Sequence, residues 1–187
     1  MNRPRRVLCP VDLRQPSRAA LAFAGVLAEE FQSVLDAVYV PEGHDSRTTR
    51  LFAPRVHAVE KSKVGHNLTE DLASLLHACA PSVESTAEVL WGRPLRSVLA
   101  DASRRRSDLI VVGESSQSSA WHRGARFANA LASDAPCPVL TVPDCDSACR
   151  PSRILLGVEL SKATDAAVEW TALLASRFDA SVEVLYA

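Results

Sequence analysis

Two periods of apolar residues alternate along this chain. Val7 to Val11, Val34 to Val40 and Leu109 to Val112 are short, nearly continuous aliphatic runs, and Val83 to Leu90 alternates apolar with polar. Runs of that length and kind read as strands. Between them the apolar positions change to helical spacing. Ala20, Leu21, Ala24, Leu27, Ala28 and Phe31 form one stripe, and Val64, Leu68, Leu72, Leu75 and Leu76 a second. Leu95, Val98, Leu99 and Ala102 form a third. Residues 125–134 read as a fourth helix, before a last strand from Pro138 to Val142.

The punctuation agrees with this reading. Pro16 and Ser17 open the first helix, and Pro41-Glu42-Gly43 stops the second strand ahead of a loop over 41–55. Pro81 ends the second helix, and Pro94 after Gly92-Arg93 suits the first turn of the third. Residues 114–124 read as a polar, Ser-rich loop. Five strands alternating with helices predict an α/β fold, a doubly wound parallel sheet with helices on both faces.

The pattern then restarts. Residues 3–40 laid over 150–187 at a constant offset of 147, without a gap, give twelve identities in 38 positions. These are Arg3, Pro4, Arg6, Leu8, Val11, Leu13, Ala19, Ala20, Leu27, Ala28, Phe31 and Tyr39. Asp12 faces Glu159, Ser17 faces Thr164 and Phe23 faces Trp170. Self-similarity at a fixed offset is the mark of duplication. It predicts a domain over 1–143, a linker over 144–152 and an incomplete second copy over 153–187. A lone strand–helix–strand unit covers one face of its two strands and leaves the other in water. Leu155 or Leu156 and Val182 or Val184 are therefore expected to be exposed, and the unit is expected to need a partner or to be a piece of a longer tandem protein.

Composition adds limits more than direction. The 187 residues are 47% hydrophobic and 23% charged, with a formal net charge of -1. That balance does not point to nucleic acid or to an acidic membrane as a partner. The basic runs at Arg3, Arg5, Arg6 and at Arg104, Arg105, Arg106 read as solvated surface. No apolar stretch approaches the ~18 residues of a membrane span. The Arg-rich N-terminus runs straight into a strand without a signal core, so a cytoplasmic location is expected. Five scattered cysteines fit reduced thiols. Cys145 and Cys149 have no second Cys or His pair at zinc-like spacing, so no metal site is expected. The five histidines form no cluster. There is no Gly-x-Ser-x-Gly and no intact P-loop, so no catalytic residue is assigned.

Val7-Leu8-Cys9-Pro10-Val11-Asp12 resembles the opening strand of the universal stress protein family, with its Pro-Val-Asp signature. Asp108 to Gly113 is similar to that family's fourth strand, and Ala135-Pro136-Cys137-Pro138-Val139-Leu140 to the motif before its fifth. The resemblance implies an adenine nucleotide α-hydrolase-like sheet of five parallel strands in the order 3-2-1-4-5. It also implies a ligand crevice where strands 1 and 4 meet, which is where strand order reverses in doubly wound sheets. The site positions it implies are Pro10, Val11, Asp12, Val40, Val112, Gly113, Ser116, Ala125, Arg126 and Phe127, with Val11 and Val40 flanking an adenine. By the same resemblance, the strand 139–142 pairs with another domain, most simply in a homodimer.

Nucleotide-binding members carry Gly, two residues, Gly, about nine residues, then Gly-Ser or Gly-Thr. Here Gly113 is kept, but Ser116, Ala125 and Arg126 stand at the later positions, and the loop is one residue shorter. Gly124 lies one place early, and Glu114 adds negative charge. A side chain blocks the close backbone approach that phosphate needs, so binding of ATP or another adenine nucleotide, with Mg, is expected to be weak. Ser115, Ser116, Ser118, Arg123 and Arg126 remain as donors. Asp12 reads equally as a ligand-facing acid and as a cap for the first helix. The function these residues imply is a stress-response module acting through dimerisation and partner binding. A nucleotide-dependent switch is the alternative, and a nucleotide hydrolase a more distant one.

Overall fold

The aliphatic runs pair into a single five-stranded parallel sheet in a computed structural model that describes residues 3–12, 15–41, 54–114, 125–143, 150–159 and 162–186. The strands are β1 (Arg6–Val11), β2 (Val34–Tyr39), β3 (Ser85–Val89), β4 (Leu109–Glu114) and β5 (Val139–Pro143), in the order β3-β2-β1-β4-β5. The helices between them are α1 (Gln15–Phe31), α2 (Pro54–Cys79), α3 (Pro94–Arg105) and α4 (Ala125–Asp134). This is the doubly wound topology that the alternation predicts.

The central strands β1, β2 and β4 bury both faces, which is why they are largely aliphatic. Leu8, Val38, Ile110 and Val112 enter a core with Val98 and Ala102 of α3 and Ala128 and Leu131 of α4. The alternate residues of β1, Val7, Cys9 and Val11, are fully buried on the opposite face, where α1 packs. α1 must come close to the chain leaving α2. A Cβ added at Gly25 would stand 2.8 Å from the Cβ of Ala80, so glycine is the side chain that fits. α3 begins with Pro94 and ends at Arg106, whose left-handed backbone (φ 55) turns its N–H back to the Ala102 and Ser103 carbonyls.

The basic run at 104–106 is solvated at Arg104 and Arg106 but not at Arg105. The Arg105 side chain is 10% exposed and donates from Nη1 to Asp36 Oδ1 at 2.7 Å and from Nε to Asp101 Oδ2 at 2.7 Å. It also reaches Glu88. Arg104 holds Asp101 from Nε at 2.9 Å and Glu88 from Nη2 at 3.0 Å. Arg6, expected on the surface, sits with Nε 3.1 Å from Asp36 Oδ2, and Thr86 donates to Asp36 Oδ1 at 2.6 Å. The reason is geometric: Asp36 and Asp101 are buried between sheet and helix, and a buried carboxylate persists only when paired.

Residues 150–186 belong to a second compact unit. β6 (Arg153–Val158) and β7 (Ser181–Tyr186) pair in parallel, joined by α5 (Lys162–Phe178). The 147-residue offset seen in the sequence holds in atomic detail. Gln32 and Asp179 both end their helices in the left-handed region, at φ 54 and 53. Ser33 N–H bonds the Ala28 carbonyl at 2.8 Å, and Ala180 N–H bonds Ala175 at 3.0 Å. Val34 N–H bonds Arg5 at 2.9 Å, and Ser181 N–H bonds Ser152 at 3.0 Å. Asp12 N–H donates to Ser17 Oγ at 3.1 Å, and Glu159 N–H to Thr164 Oγ1 at 3.2 Å.

Exposure in this unit goes further than the sequence suggests. Leu155 is in water, as expected for the face away from the helix, and Leu156 is buried. Val182, Val184 and Tyr186 share the helix side by register with Ile154, Leu156 and Val158, yet are exposed too. α5 covers β6 and leaves β7 open on both faces.

Candidate functional site

The carboxyl ends of β1 and β4 are neighbours in the sheet, and the chain leaves them in opposite directions, β1 toward β2 and β4 toward β5. Such a reversal opens a crevice between the two departing loops. One residue ends the hydrogen bonding beside it. Along β1, the Arg5 carbonyl accepts from Val34 beside β2, and the Arg6 carbonyl accepts from Asp108 beside β4. Successive residues of a strand turn their polar groups to alternate neighbours, so Leu8 and Pro10 face β4. Pro10 has no N–H to give. The β1–β2 pairing runs from Arg6 to Val11, whereas the β1–β4 pairing is confined to Val7↔Leu109 and Leu8↔Ile110. The hydrogen-bond ladder between the two strands therefore stops where the crevice begins, and the Pro of the Pro-Val-Asp run is the residue that ends it.

Asp12 lies at that mouth, half-buried, immediately after β1. Its backbone N–H donates to Ser17 Oγ, and the Ser17 hydroxyl donates to its Oδ1. The carboxylate thus ties the end of β1 to a side chain in the first turn of α1. Val11 and Val40 are fully buried beside it, and Val112 nearly so. Leu90 N–H donates to the Tyr39 carbonyl at 2.8 Å and holds the ends of β2 and β3 together next to Val40. Gly113 is the penultimate residue of β4, followed by the exposed Glu114.

α4 begins at Ala125, after the loop that leaves the carboxyl end of β4. Its first backbone N–H groups and positive dipole end belong to that edge of the sheet, an arrangement suited to an anion. Ala125 and Arg126 are its first two residues. Phe127 is packed against the core formed by Val98, Ala128 and Leu131, so its ring serves the core. Ser116, like the rest of 115–124 with Gly124 and Arg123, lies outside the described residues, as do Cys145 and Cys149. The structure brings Pro10, Val11, Asp12, Val40, Val112 and Gly113 to one edge; the sequence resemblance named them all, but not the role of Pro10 in ending the β1–β4 ladder.

Among the described residues, no group of three or more His, Cys, Asp or Glu is placed to hold a metal. An open cavity of about 340 Å³ lies between α3 and the end of β3, lined by Leu90, Trp91, Arg96, Ser97, Ala100, Asp101 and Arg104. It shares no residue with the crevice. Among the described cysteines the protonated thiol is favoured. Burial pushes Cys9 and Cys79 up, and burial followed by the Asp108 carboxylate pushes Cys137 up to about 11. No helix among the described residues is long and apolar enough to cross a membrane.

Residues 4–143 match the family model described as the universal stress protein family. Among curated proteins the sequence has no match. Three solved structures show the same fold. Universal stress protein UspA from Lactobacillus plantarum has a TM-score of 0.53 at 22% identity, covering 74% of this chain and 97% of that one. A universal stress protein from Archaeoglobus fulgidus has a TM-score of 0.72 at 16% identity, covering 97% of this chain and 66% of that one. A universal stress protein family protein from Arabidopsis thaliana, solved with AMP bound, has a TM-score of 0.52 at 18% identity, covering 76% of this chain and 94% of that one.

Proposed function

The chain belongs to the universal stress protein family, and from that premise we propose that it is a cytoplasmic stress-response module that works by dimerising and binding partners. Its nucleotide site is degenerate. What supports this reading is the meeting of Asp12, Val40 and Gly113 at the carboxyl edge of the sheet, beside a phosphate loop whose sequence is poor in glycine. The β1–β4 mouth is where an adenosine moiety would lie. Ser116, Ala125 and Arg126 replace the residues that let a backbone wrap a triphosphate. Adenine nucleotide therefore binds weakly, held by the apolar mouth and by the N-terminus of α4, with Asp12 as acceptor for a sugar hydroxyl.

A second reading, a switch governed by ATP or another adenine nucleotide, draws support from the AMP-bound relative. A magnesium ion would arrive with the phosphates, since no metal cluster is found among the described residues. The region 153–187 repeats the β1–α1–β2 part of the same domain, joined by a linker over 144–152.

Dimerisation runs through β5. It is an edge of the five-stranded sheet, and Val139 and Leu140 are only partly covered. An aliphatic edge tends to pair. Sedimentation equilibrium of the full chain tests this. Wild type is a dimer and Leu140→Lys a monomer; a dimer that survives Leu140→Lys contradicts it.

A further inference from the structure

The cavity between α3 and the end of β3 is built on a helix face with a gap in it. Arg96, Ala100 and Arg104 line it and follow one another at i+4 along α3, so they form a single row. Two guanidinium side chains therefore stand one turn either side of a methyl group. The short side chain of Ala100 leaves the space between them open, within a volume of about 340 Å³. Ser97 and Asp101 form the neighbouring row, and Leu90 and Trp91 close the cavity from the sheet side. Trp91 is half-buried and backed by α2, where a Cβ on Gly65 would stand 3.4 Å from its Cζ2. The wall is thus mostly apolar, with its cations at the two ends of one row.

The charges around this cavity do not balance. Asp36 has Arg6 beside it, and Asp101 and Glu88 share Arg104 and Arg105. Asp101, the acid that lines the cavity, is 2% exposed and has a guanidinium on each oxygen, so its charge is offset. Arg96 is left over: it has no ion pair or hydrogen bond among the described residues. Arg104 spends Nε and Nη2 on Asp101 and Glu88, and its Nη1 is unused. We propose that this cavity is a binding site for a small organic acid, with one negative charge on an apolar, ring-sized body. The acidic group lies between Arg96 and Nη1 of Arg104, near the Ser97 hydroxyl, and the body lies on Ala100 against Leu90 and Trp91. One surplus guanidinium matches a monoanion and not a phosphate chain. Pockets for drug-sized ligands begin at about 300 Å³, so a body of one or two rings fits. Neither wall nor charge is shared with the β1–β4 crevice.

Naphthoate is the probe, and naphthamide, the same body without the charge, its control. Each is titrated into the full-length chain and followed by heteronuclear NMR of the backbone amides. Naphthoate should saturate with a Kd of about 1 mM or tighter, shifting amides within residues 90–104. Naphthamide should bind about tenfold more weakly. Arg96→Gln should weaken naphthoate about fivefold and leave naphthamide unchanged. Ala100→Leu, which fills the gap in the row, should abolish binding of both. Both positions are exposed, and circular dichroism checks that each variant folds. Excess AMP should not displace the probe. Four results overturn the proposal: no saturation by about 10 mM naphthoate, equal binding of acid and amide, binding indifferent to both substitutions, or displacement by AMP. The last would put the acid in the crevice instead.

Discussion

Asp36 and Glu183, 147 positions apart, each hold an arginine at the same register position of their strand pair, yet the first side chain is 0% and the second 63% exposed. The same pair should therefore differ widely in worth. Removing one partner from a buried, hydrogen-bonded pair costs about 3–5 kcal/mol, because a charge is left without its counter-ion. An exposed pair is worth under ~1 kcal/mol. Asp36→Ala should lower the melting temperature of the first unit by roughly 10 °C or more, whereas Glu183→Ala should barely change a thermal melt. Equal effects would contradict the burial difference.

Gly25→Ala separates helix propensity from packing. In an exposed helix the change would stabilise by roughly 0.5–1 kcal/mol. Here the new methyl would lie 2.8 Å from the Ala80 Cβ, and both positions are on backbone that has little room to yield. A loss of about 1–3 kcal/mol is expected in urea unfolding. Stabilisation would show that α1 and the end of α2 separate readily.

The thiols give a pH dependence with a defined sign. Folding raises Cys9 and Cys137 above the ordinary 9.0, Cys137 to about 11. The folded state thus holds its protons longer than the unfolded chain. Their contribution is full below pH 9 and is lost as pH climbs toward 11, so stability falls over that window. At pH 8, roughly one Cys137 thiol in a thousand is thiolate, and alkylation there should be slow in the native state. Mass spectrometry after brief iodoacetamide treatment should find Cys9 and Cys137 unmodified. Rapid modification of Cys9 would mean that β1 opens locally.

Much of this was legible in the sequence, and particular residues show why. Strand order followed from alternation and the family resemblance, because βαβ connections leave few topologies. The repeat was readable because offset identities survive where Leu8, Phe31 and Tyr39 each fill a defined place. Arg105 was not readable. A run of three arginines looks like a solvated face, and its burial depends on Asp36, 69 positions away in sequence, which periodicity cannot connect to it. Pro10 was seen as a motif letter, while its effect depends on which neighbour it faces. The exposure of β7 on both faces depends on where α5 settles, and spacing along one helix does not fix that.

Pro10→Ala tests whether Pro10 ends the β1–β4 ladder. It restores an N–H toward β4, so the β1–β4 ladder should lengthen. Hydrogen exchange should show new protection at residue 10, with weaker nucleotide binding. An unprotected amide there would mean that another constraint keeps the crevice open.

Calorimetric titration of the full chain with ATP and Mg²⁺, beside AMP and an Asp12→Ala variant, tests the central reading most directly. Asp12 accepts one hydrogen bond from the Ser17 hydroxyl, so its removal costs about 1 kcal/mol of stability and leaves the fold intact. The crevice should bind both nucleotides, ATP no more tightly than ~10 μM, or about -7 kcal/mol. ATP should gain little over AMP, because the residues meant for its outer phosphates are missing. Asp12→Ala should weaken both alike. Sub-micromolar ATP binding, with AMP far weaker, would contradict the account and establish a true triphosphate site.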